Sequence, residues 1–280
     1  MTGNGIVVGY DGSACADQAI AWAAREARCR GSVLTVCLVQ SPGYPASPGP
    51  SDHDSSSRQA AEAALAPGVK LAAALAGDGE VRPLLAAGSP AGELCGLAAD
   101  ADMLVVGCRG RGGLPGLPIG SVSLRVAAAA RGRVVVVGGD WRSVPTAPRP
   151  VVVGSDGSPE SGPAVTFAFE EAVLREADLL AVCALADDRA QFGTAGQIRG
   201  DFEDLIASHQ QEHPDVLVRR QVSEGSARAA LREAGAQAQM VVVGARGRGG
   251  IDGLPLGSVG LTVLSSATSP VGVVHHEDSA

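Results

Sequence analysis

The sequence predicts an α/β protein built as two tandem five-stranded parallel-sheet domains with helices on both faces. Three observations lead there. The chain repeats itself. Within each repeat, short Val-rich runs alternate with Ala/Leu/Glu-rich runs of helical spacing, the pattern of a parallel sheet covered by helices. Finally, 280 residues suit two units at a prior of roughly 150 residues per domain.

The repeat carries most weight. Gly107-Cys-Arg-Gly-Arg-Gly-Gly-Leu-Pro-Gly-Leu-Pro-Ile-Gly-Ser-Val-Ser-Leu124 recurs as Gly244-Ala-Arg-Gly-Arg-Gly-Gly-Ile-Asp-Gly-Leu-Pro-Leu-Gly-Ser-Val-Gly-Leu261, eighteen positions without a gap and 13 of them identical. The two openings match too: Ile-Val-Val-Gly-Tyr-Asp-Gly-Ser ends at Ser13, and Val-Val-Val-Gly-Ser-Asp-Gly-Ser at Ser158. Domains over 1–140 and 150–280 follow, with the proline-bearing stretch from Arg142 to Arg149 as linker. The offset is 145 from Asp11 to Asp156 but 137 from Gly107 to Gly244. The first half therefore carries about eight extra residues, assigned to the Pro/Ser/Gly-rich segment Ser41–Ser57, which reads as a mobile loop.

Strands are expected near 5–10, 33–39, 81–86, 102–106 and 133–138, and again near 150–155, 179–185, 216–221, 239–243 and 271–275. Helices start at candidate N-caps Ser13, Ser89 and Ser121, then Ser158, Ser226 and Ser258. Apolar residues are 45% of the chain and aromatics only 3%, so the cores are made of Ala, Val and Leu.

The net charge of −8 argues against a nucleic-acid partner, since phosphate rewards a basic surface. No stretch reaches the roughly 18 apolar residues that span a bilayer, and the run Ile6–Val8 is too short for a signal-peptide core. A cytoplasmic protein with no membrane partner is expected. The six cysteines form no Cys-x-x-Cys pair and the five histidines fall at unrelated spacings, so no zinc site or disulfide framework is indicated.

In both halves the glycine loop obeys one spacing, Gly107-x2-Gly110-x9-Gly120-Ser121 and Gly244-x2-Gly247-x9-Gly257-Ser258, between a buried strand and a helix. Ligands of open α/β sheets bind at the carboxyl ends of strands, and a helix N-terminus offers unpaired N–H groups to phosphate. Glycine lets the backbone approach a phosphate without a Cβ in the way. Ser121 and Ser258 add a hydroxyl for a phosphate oxygen or for the helix cap. A Walker A loop is excluded: it needs a lysine, and the single lysine, Lys70, sits in a predicted helix with no counterpart. Strand one is followed by Gly-Tyr-Asp-Gly-Ser and Gly-Ser-Asp-Gly-Ser instead of Gly-x-Gly-x-x-Gly, which argues against NAD and FAD.

These residues resemble the universal stress protein family in its tandem form, through the glycine spacing in both halves and an Asp-Gly-Ser after strand one. The resemblance implies the HUP-like, adenine nucleotide alpha hydrolase-like fold, with ATP across the strand ends and the glycine loop on its phosphates. It places Asp11 and Asp156, following Gly9 and Gly154, at the nucleotide. There a carboxylate can bond the ribose hydroxyls or the adenine amino group, or help to place Mg²⁺; a turn or cap role is the simpler alternative. Val39 and Leu185, at the ends of strand two, are expected to line the adenine. The resemblance also implies that strand five of one half, Val134–Val137, runs antiparallel to strand five of the other, Val271–Val274. Ser269-Pro270-Val271 keeps the family ending while Gly132-Arg133-Val134 departs from it, a change expected to alter how that strand packs. Pro115, Pro118 and Pro255 are expected to stiffen the glycine loops.

Arg109, Arg111, Arg246 and Arg248 can each reach a phosphate, but solvated loop arginines explain them as well, and none is counted as a site residue. Cys108 lies beside Arg109, where a lowered thiol pKa would suit a redox role, yet its counterpart is Ala245, so a small buried hydrophobe is its simpler reading. No Ser-His-Asp set or carboxylate pair recurs in both halves. The expectation is an ATP-binding stress-response regulator or sensor, not an enzyme, that switches an unidentified protein partner and forms a homodimer. A weak ATPase and a scaffold without ligand are the alternatives.

Overall fold

The computed structural model of the chain describes residues 5–41, 53–112, 118–138, 141, 149–185, 193–248 and 256–276. Its first half runs β1 (Ile6–Gly9), α1 (Ala14–Arg30), β2 (Leu34–Gln40), α2 (His53–Ala76), β3 (Val81–Ala87), α3 (Pro90–Ala98), β4 (Met103–Gly107), α4 (Ser121–Ala129) and β5 (Arg133–Val137). The second runs β6 (Val151–Gly154), a 3-10 turn (Pro159–Ser161), α5 (Gly162–Leu174), β7 (Leu179–Leu185), α6 (Ala195–Glu212), β8 (Val218–Glu224), α7 (Ala227–Gly235), β9 (Met240–Gly244), α8 (Ser258–Ser266) and β10 (Val271–Val274).

Each half is a parallel sheet with helices on both faces, as expected, and strand alternation sorts the core into two layers. Ile6, Val8, Met103 and Val105 face α1 and α2, while Val7, Leu104 and Val106 face α3 and α4. Helix α1 has apolar residues at 16, 19, 20, 23, 24 and 27, all buried, a helical stripe laid on the sheet. Ser13 caps it, its hydroxyl accepting the Ala16 N–H at 3.2 Å.

Four expectations need correction or bounding. β8 starts at Val218, because the Val216 N–H closes a turn onto the His213 carbonyl. Ser121 and Ser258 are the first residues of α4 and α8, and the N-caps are Gly120 and Gly257. Residues 53–57 of the expected loop Ser41–Ser57 form the start of α2, while 42–52 lie outside the described residues. So do Arg142 to residue 148 of the linker, and Pro115 and Pro255.

The strands form one ten-stranded sheet, β3-β2-β1-β4-β5-β10-β9-β6-β7-β8. Within each half all pairings are parallel. At the centre β5 and β10 run antiparallel, with Val271 opposite Val136 and Val274 opposite Arg133. Arg133 leaves this pairing intact and adds a clamp across the joint: its guanidinium donates to both oxygens of Glu170 at 2.6 and 2.8 Å. It also sits 5.0 Å over the Phe167 ring.

Beside the joint, α1 and α5 share a buried ionic network with the symmetry of the repeat. Arg30 pairs with Glu26 of its own helix at 2.5 Å and with Glu171 of α5. Arg175, the C-cap of α5, pairs with Glu171 of that helix and with Glu26 at 2.8 Å. Both pairs of equivalents, 26/171 and 30/175, stand 145 apart, as Asp11 and Asp156 do, so the contact is self-complementary like a twofold interface. Burial pushes Glu171 up to about 7 against the pull of Arg175 and Arg30. Burial also pushes Glu26 up, but Arg175 and Arg30 together outweigh it and hold Glu26 below the ordinary range.

Candidate functional site

In each half the chain leaves β1 or β6 to one side and returns to the other, so a crevice opens at the carboxyl ends of the central strands, between β1 and β4 and between β6 and β9. Such switch points are where α/β sheets take ligands.

At the first crevice the Asp-Gly-Ser turn closes the end of β1. Asp11 Oδ1 accepts the Ser13 N–H at 3.0 Å, and Gly12 supplies a left-handed φ of +77°, which costs glycine little. The second oxygen does something the turn does not require: Asp11 Oδ2 accepts the backbone N–H of Arg111 at 2.9 Å. The glycine loop is thereby tied to the turn after β1. The second half repeats both bonds, Ser158 N–H to Asp156 Oδ1 at 3.1 Å and Arg248 N–H to Asp156 Oδ2 at 2.7 Å.

The glycines serve unequal purposes. A Cβ on Gly110 would stand 2.4 Å from Asp11 Oδ2, and one on Gly247 2.5 Å from Asp156 Oδ2. A Cβ on Gly107 would stand 2.6 Å from the Cys15 backbone, and one on Gly244 2.8 Å from the Arg246 carbonyl. Gly120 and Gly257 meet nothing closer than 3.5 Å. Their amides instead close the loop, donating at 2.8 Å to the carbonyls of Cys108 and Ala245. The N-caps Gly120 and Gly257 bring no capping side chain to α4 or α8, and among the described residues the N–H groups of their first turns have no side-chain acceptor.

Each crevice holds a cavity. The first, about 330 Å³, is lined by Gly9, Asp11, Val39, Gly107, Gly110, Gly120 and Ser121 among others. The second, about 190 Å³, is lined by Gly154, Asp156, Gly244, Gly247, Gly257 and Ser258. Leu185 does not line it. The strand register aligns Gly9 with Cys37 and Gly154 with Val182, so the equivalent of Val39 is Ala184, which does line the cavity. Leu185, one residue on, points to the opposite face and packs against the α5/α6 core, since neighbouring strand residues alternate.

Other lining residues recur in pairs that the sequence reading missed: Cys37 with Val182, Leu94 with Leu231, and Val122 with Val259. The signal was present in the strand-two alternation and in the 137-residue offset, which relates 94 to 231 and 122 to 259. Burial, and then Glu93, push the Cys37 thiol up to about 11, so it faces the cavity as a neutral small hydrophobe. Arg109 and Arg111 line the first cavity and Arg246 the second. Arg248 turns away: its Nε donates to the Asp156 carbonyl at 3.0 Å and its guanidinium pairs with Asp201 of α6.

The arrangement can therefore seat an anion on helix amides and a flat apolar group between β2 and α3 in the first half or between β7 and α7 in the second. Among the described residues no cluster of three or more His, Cys, Asp or Glu side chains could hold a metal ion, and no helix is long and apolar enough to cross a membrane.

Residues 4–138 and 148–275 each match the model of the Universal stress protein family. A universal stress protein of Mycolicibacterium smegmatis is 37% identical over 283 residues, 96% of either chain. One of Mycobacterium tuberculosis is 36% identical over 286 residues, 95% of either chain. Among solved structures, a universal stress protein from Archaeoglobus fulgidus shares the fold with a TM-score of 0.73 at 18% identity, over 99% of this chain and 98% of that one. The chain belongs to the universal stress protein family, in a tandem form with one family unit in each half.

Proposed function

We propose that each half binds an adenine nucleotide, in the first instance ATP, and that the protein acts in the cytoplasm as a nucleotide-dependent stress-response sensor or switch and not as an enzyme. The observation that carries this reading is a doubled loop geometry: a helix start with glycine at its N-cap, its loop closed by the glycine amide and held by an aspartate, at the switch point of each sheet. Triphosphate oxygens would take the first-turn amides of α4 and α8. Adenine would lie against Val39 and Leu94 in the first half, and against Ala184 and Leu231 in the second. The first cavity falls within the roughly 300–1,000 Å³ range of small-molecule sites.

Backbone-dominated recognition suits ATP, ADP, AMP or a cyclic nucleotide alike. A Mg²⁺ fits as a companion of the phosphates, keeping waters and at most one carboxylate contact, because both oxygens of each aspartate already receive backbone amides, one from its own turn and one from the glycine loop. Binding would act by favouring one domain arrangement over others, which an unidentified protein partner reads. The whole chain is proposed to form a homodimer through a helical face, since the sheet edges β3 and β8 carry Arg82, Pro83, Arg219 and Arg220, residues that discourage edge pairing; light scattering measures it.

The test is mass spectrometry of small molecules released by denaturing freshly purified protein, beside thermal melts with and without ATP. An adenine nucleotide in the supernatant and an ATP-dependent rise in melting temperature are expected. Neither appearing would refute the proposal.

A further inference from the structure

The Cys15 and Cys108 sulfurs lie 3.7 Å apart, although 93 residues separate them in the chain. Cys15 belongs to the first turn of α1, and Cys108 is the residue that follows β4 and enters the glycine loop. They meet because Gly107 has no side chain: a Cβ there would stand 2.6 Å from the Cys15 carbonyl and 2.9 Å from its Cβ, so the end of β4 lies flat against the start of α1.

From this geometry we propose that Cys15 and Cys108 form a dithiol modification site that a hydroperoxide converts to a disulfide, locking the entrance of the first glycine loop to α1. The proposal does not depend on the nucleotide reading. Cys108 is buried at 7% exposure while Cys15 is half-buried, so peroxide meets Cys15 first. The Cys15 thiolate, its proton released to water, attacks one peroxide oxygen. The O–O bond breaks, the other oxygen leaves and takes up a proton as alcohol or water, and Cys15 becomes a sulfenic acid. The Cys108 sulfur then attacks Cys15 Sγ, the S–O bond breaks, and hydroxide leaves with the Cys108 proton as water. Two thiols are oxidised and one peroxide is reduced. Closing from contact distance to a bond of about 2.05 Å is a movement under ~2 Å, and the Cys15 backbone already packs against Gly107, the chain neighbour of Cys108.

Two features make Cys108 a place where a crosslink is felt. Its N–H donates to the Val137 carbonyl and its own carbonyl accepts the Gly120 N–H, both at 2.8 Å, so it joins the entry and exit of the loop. Beside it the Ser13 hydroxyl donates to the Arg109 carbonyl at 3.3 Å. The device exists in the first half alone. The second half has Glu160 and Ala245 at these places, with the Glu160 carbonyl beside Gly244 as that of Cys15 is beside Gly107.

The experiment treats the reduced, full-length chain with hydrogen peroxide, blocks remaining thiols with an alkylating agent and maps the digest by mass spectrometry. Two of the six thiols should be lost, in a crosslinked peptide pair containing Cys15 and Cys108 that dithiothreitol restores. Amide exchange at Ser121 and Val122 should slow in the oxidised chain but not in Cys15→Ser or in Cys108→Ala, the latter copying Ala245. Cys15 and Cys108 remaining alkylatable after the exposed Cys29 has reacted would overturn the proposal. So would pairing of either with another cysteine, or Cys15 passing to sulfinic acid while Cys108 stays a thiol. A crosslink that leaves exchange at α4 unchanged overturns the locking role.

Discussion

The carboxylate of Asp11 accepts the backbone N–H of Arg111 across 100 residues of sequence, at 2.9 Å, and Asp156 repeats the contact with Arg248. The aspartate is thus both a turn former and the anchor of the glycine loop. It belongs to the geometry of the site before any ligand arrives.

Removing the anchor should loosen the loop. Asp11→Ala is expected to cost about 1.5–3 kcal/mol, the scale of a hydrogen bond to a charged group, with faster amide exchange at Arg111 and weaker ATP binding in the first half only. Asp11→Asn keeps an amide-accepting oxygen and should recover part of each effect. Chemical denaturation and exchange measurements on both variants check this, and Asp156→Ala supplies the mirror case.

The repeated spacing of glycines hides a difference in their mechanical importance, which alanine substitutions should reveal. Gly110→Ala pushes a methyl into Asp11 Oδ2 and should unseat the loop, with a fall in melting temperature and loss of ATP binding in that half; Gly247→Ala should do the same in the other. Gly120→Ala, in extended backbone at φ −80° with its Cβ in ordinary contact at 3.5 Å or more, should leave the melting temperature nearly unchanged. Equal melts for Gly110→Ala and Gly120→Ala would contradict the clash.

Glu171 provides a pH signature. Its folded-state value lies above that of the unfolded chain, so between about pH 7 and the ordinary carboxylate range the folded protein binds a proton that the unfolded chain does not. Its contribution therefore makes the fold relatively more stable as pH falls through that window, and less stable above it. Against Glu171→Gln, which cannot titrate, the wild type should gain stability on going from pH 8 to pH 5. Urea unfolding of both at the two pH values measures it. Glu26 acts oppositely: held below the ordinary range, it contributes stability above its unfolded value and loses it as the pH falls through its lower folded value.

The clamp from Arg133 to Glu170 tests whether the halves depend on bidentate geometry. The pair is partly exposed, so Arg133→Ala should cost only about 1 kcal/mol. Arg133→Lys should recover less than half of it, because an ammonium cannot bond both oxygens in the plane of the carboxylate or lie over the Phe167 ring in the same way. Denaturation midpoints of the two variants give the answer.

How much of this was legible in the chain follows from the range of the interactions involved. The ten strands, the repeat and the glycine spacing are local or nearly so: β-branched runs, helical stripes and turn residues declare themselves within a few positions. The antiparallel joint of Val134–Val137 with Val271–Val274 was also readable, through the family resemblance. The face of strand two was not. A one-residue uncertainty exchanged Ala184 for Leu185, and with a period of two that error moves a side chain from the cavity to the core.

The sequence by itself determined two α/β units, a glycine-rich loop between strand and helix in each and an acidic residue after each first strand, because those features rest on local propensity and repetition. Tertiary structure alone decided that Asp11 and Asp156 hold the loops, that Arg248 turns to Asp201, that Glu26 and Glu171 are buried against arginines from both halves, and that Cys15 touches Cys108. Each of these is a contact between groups tens of residues apart or more. Only the packing of helices on the sheet brings such groups within a few ångströms, and distance along the chain carries no trace of it.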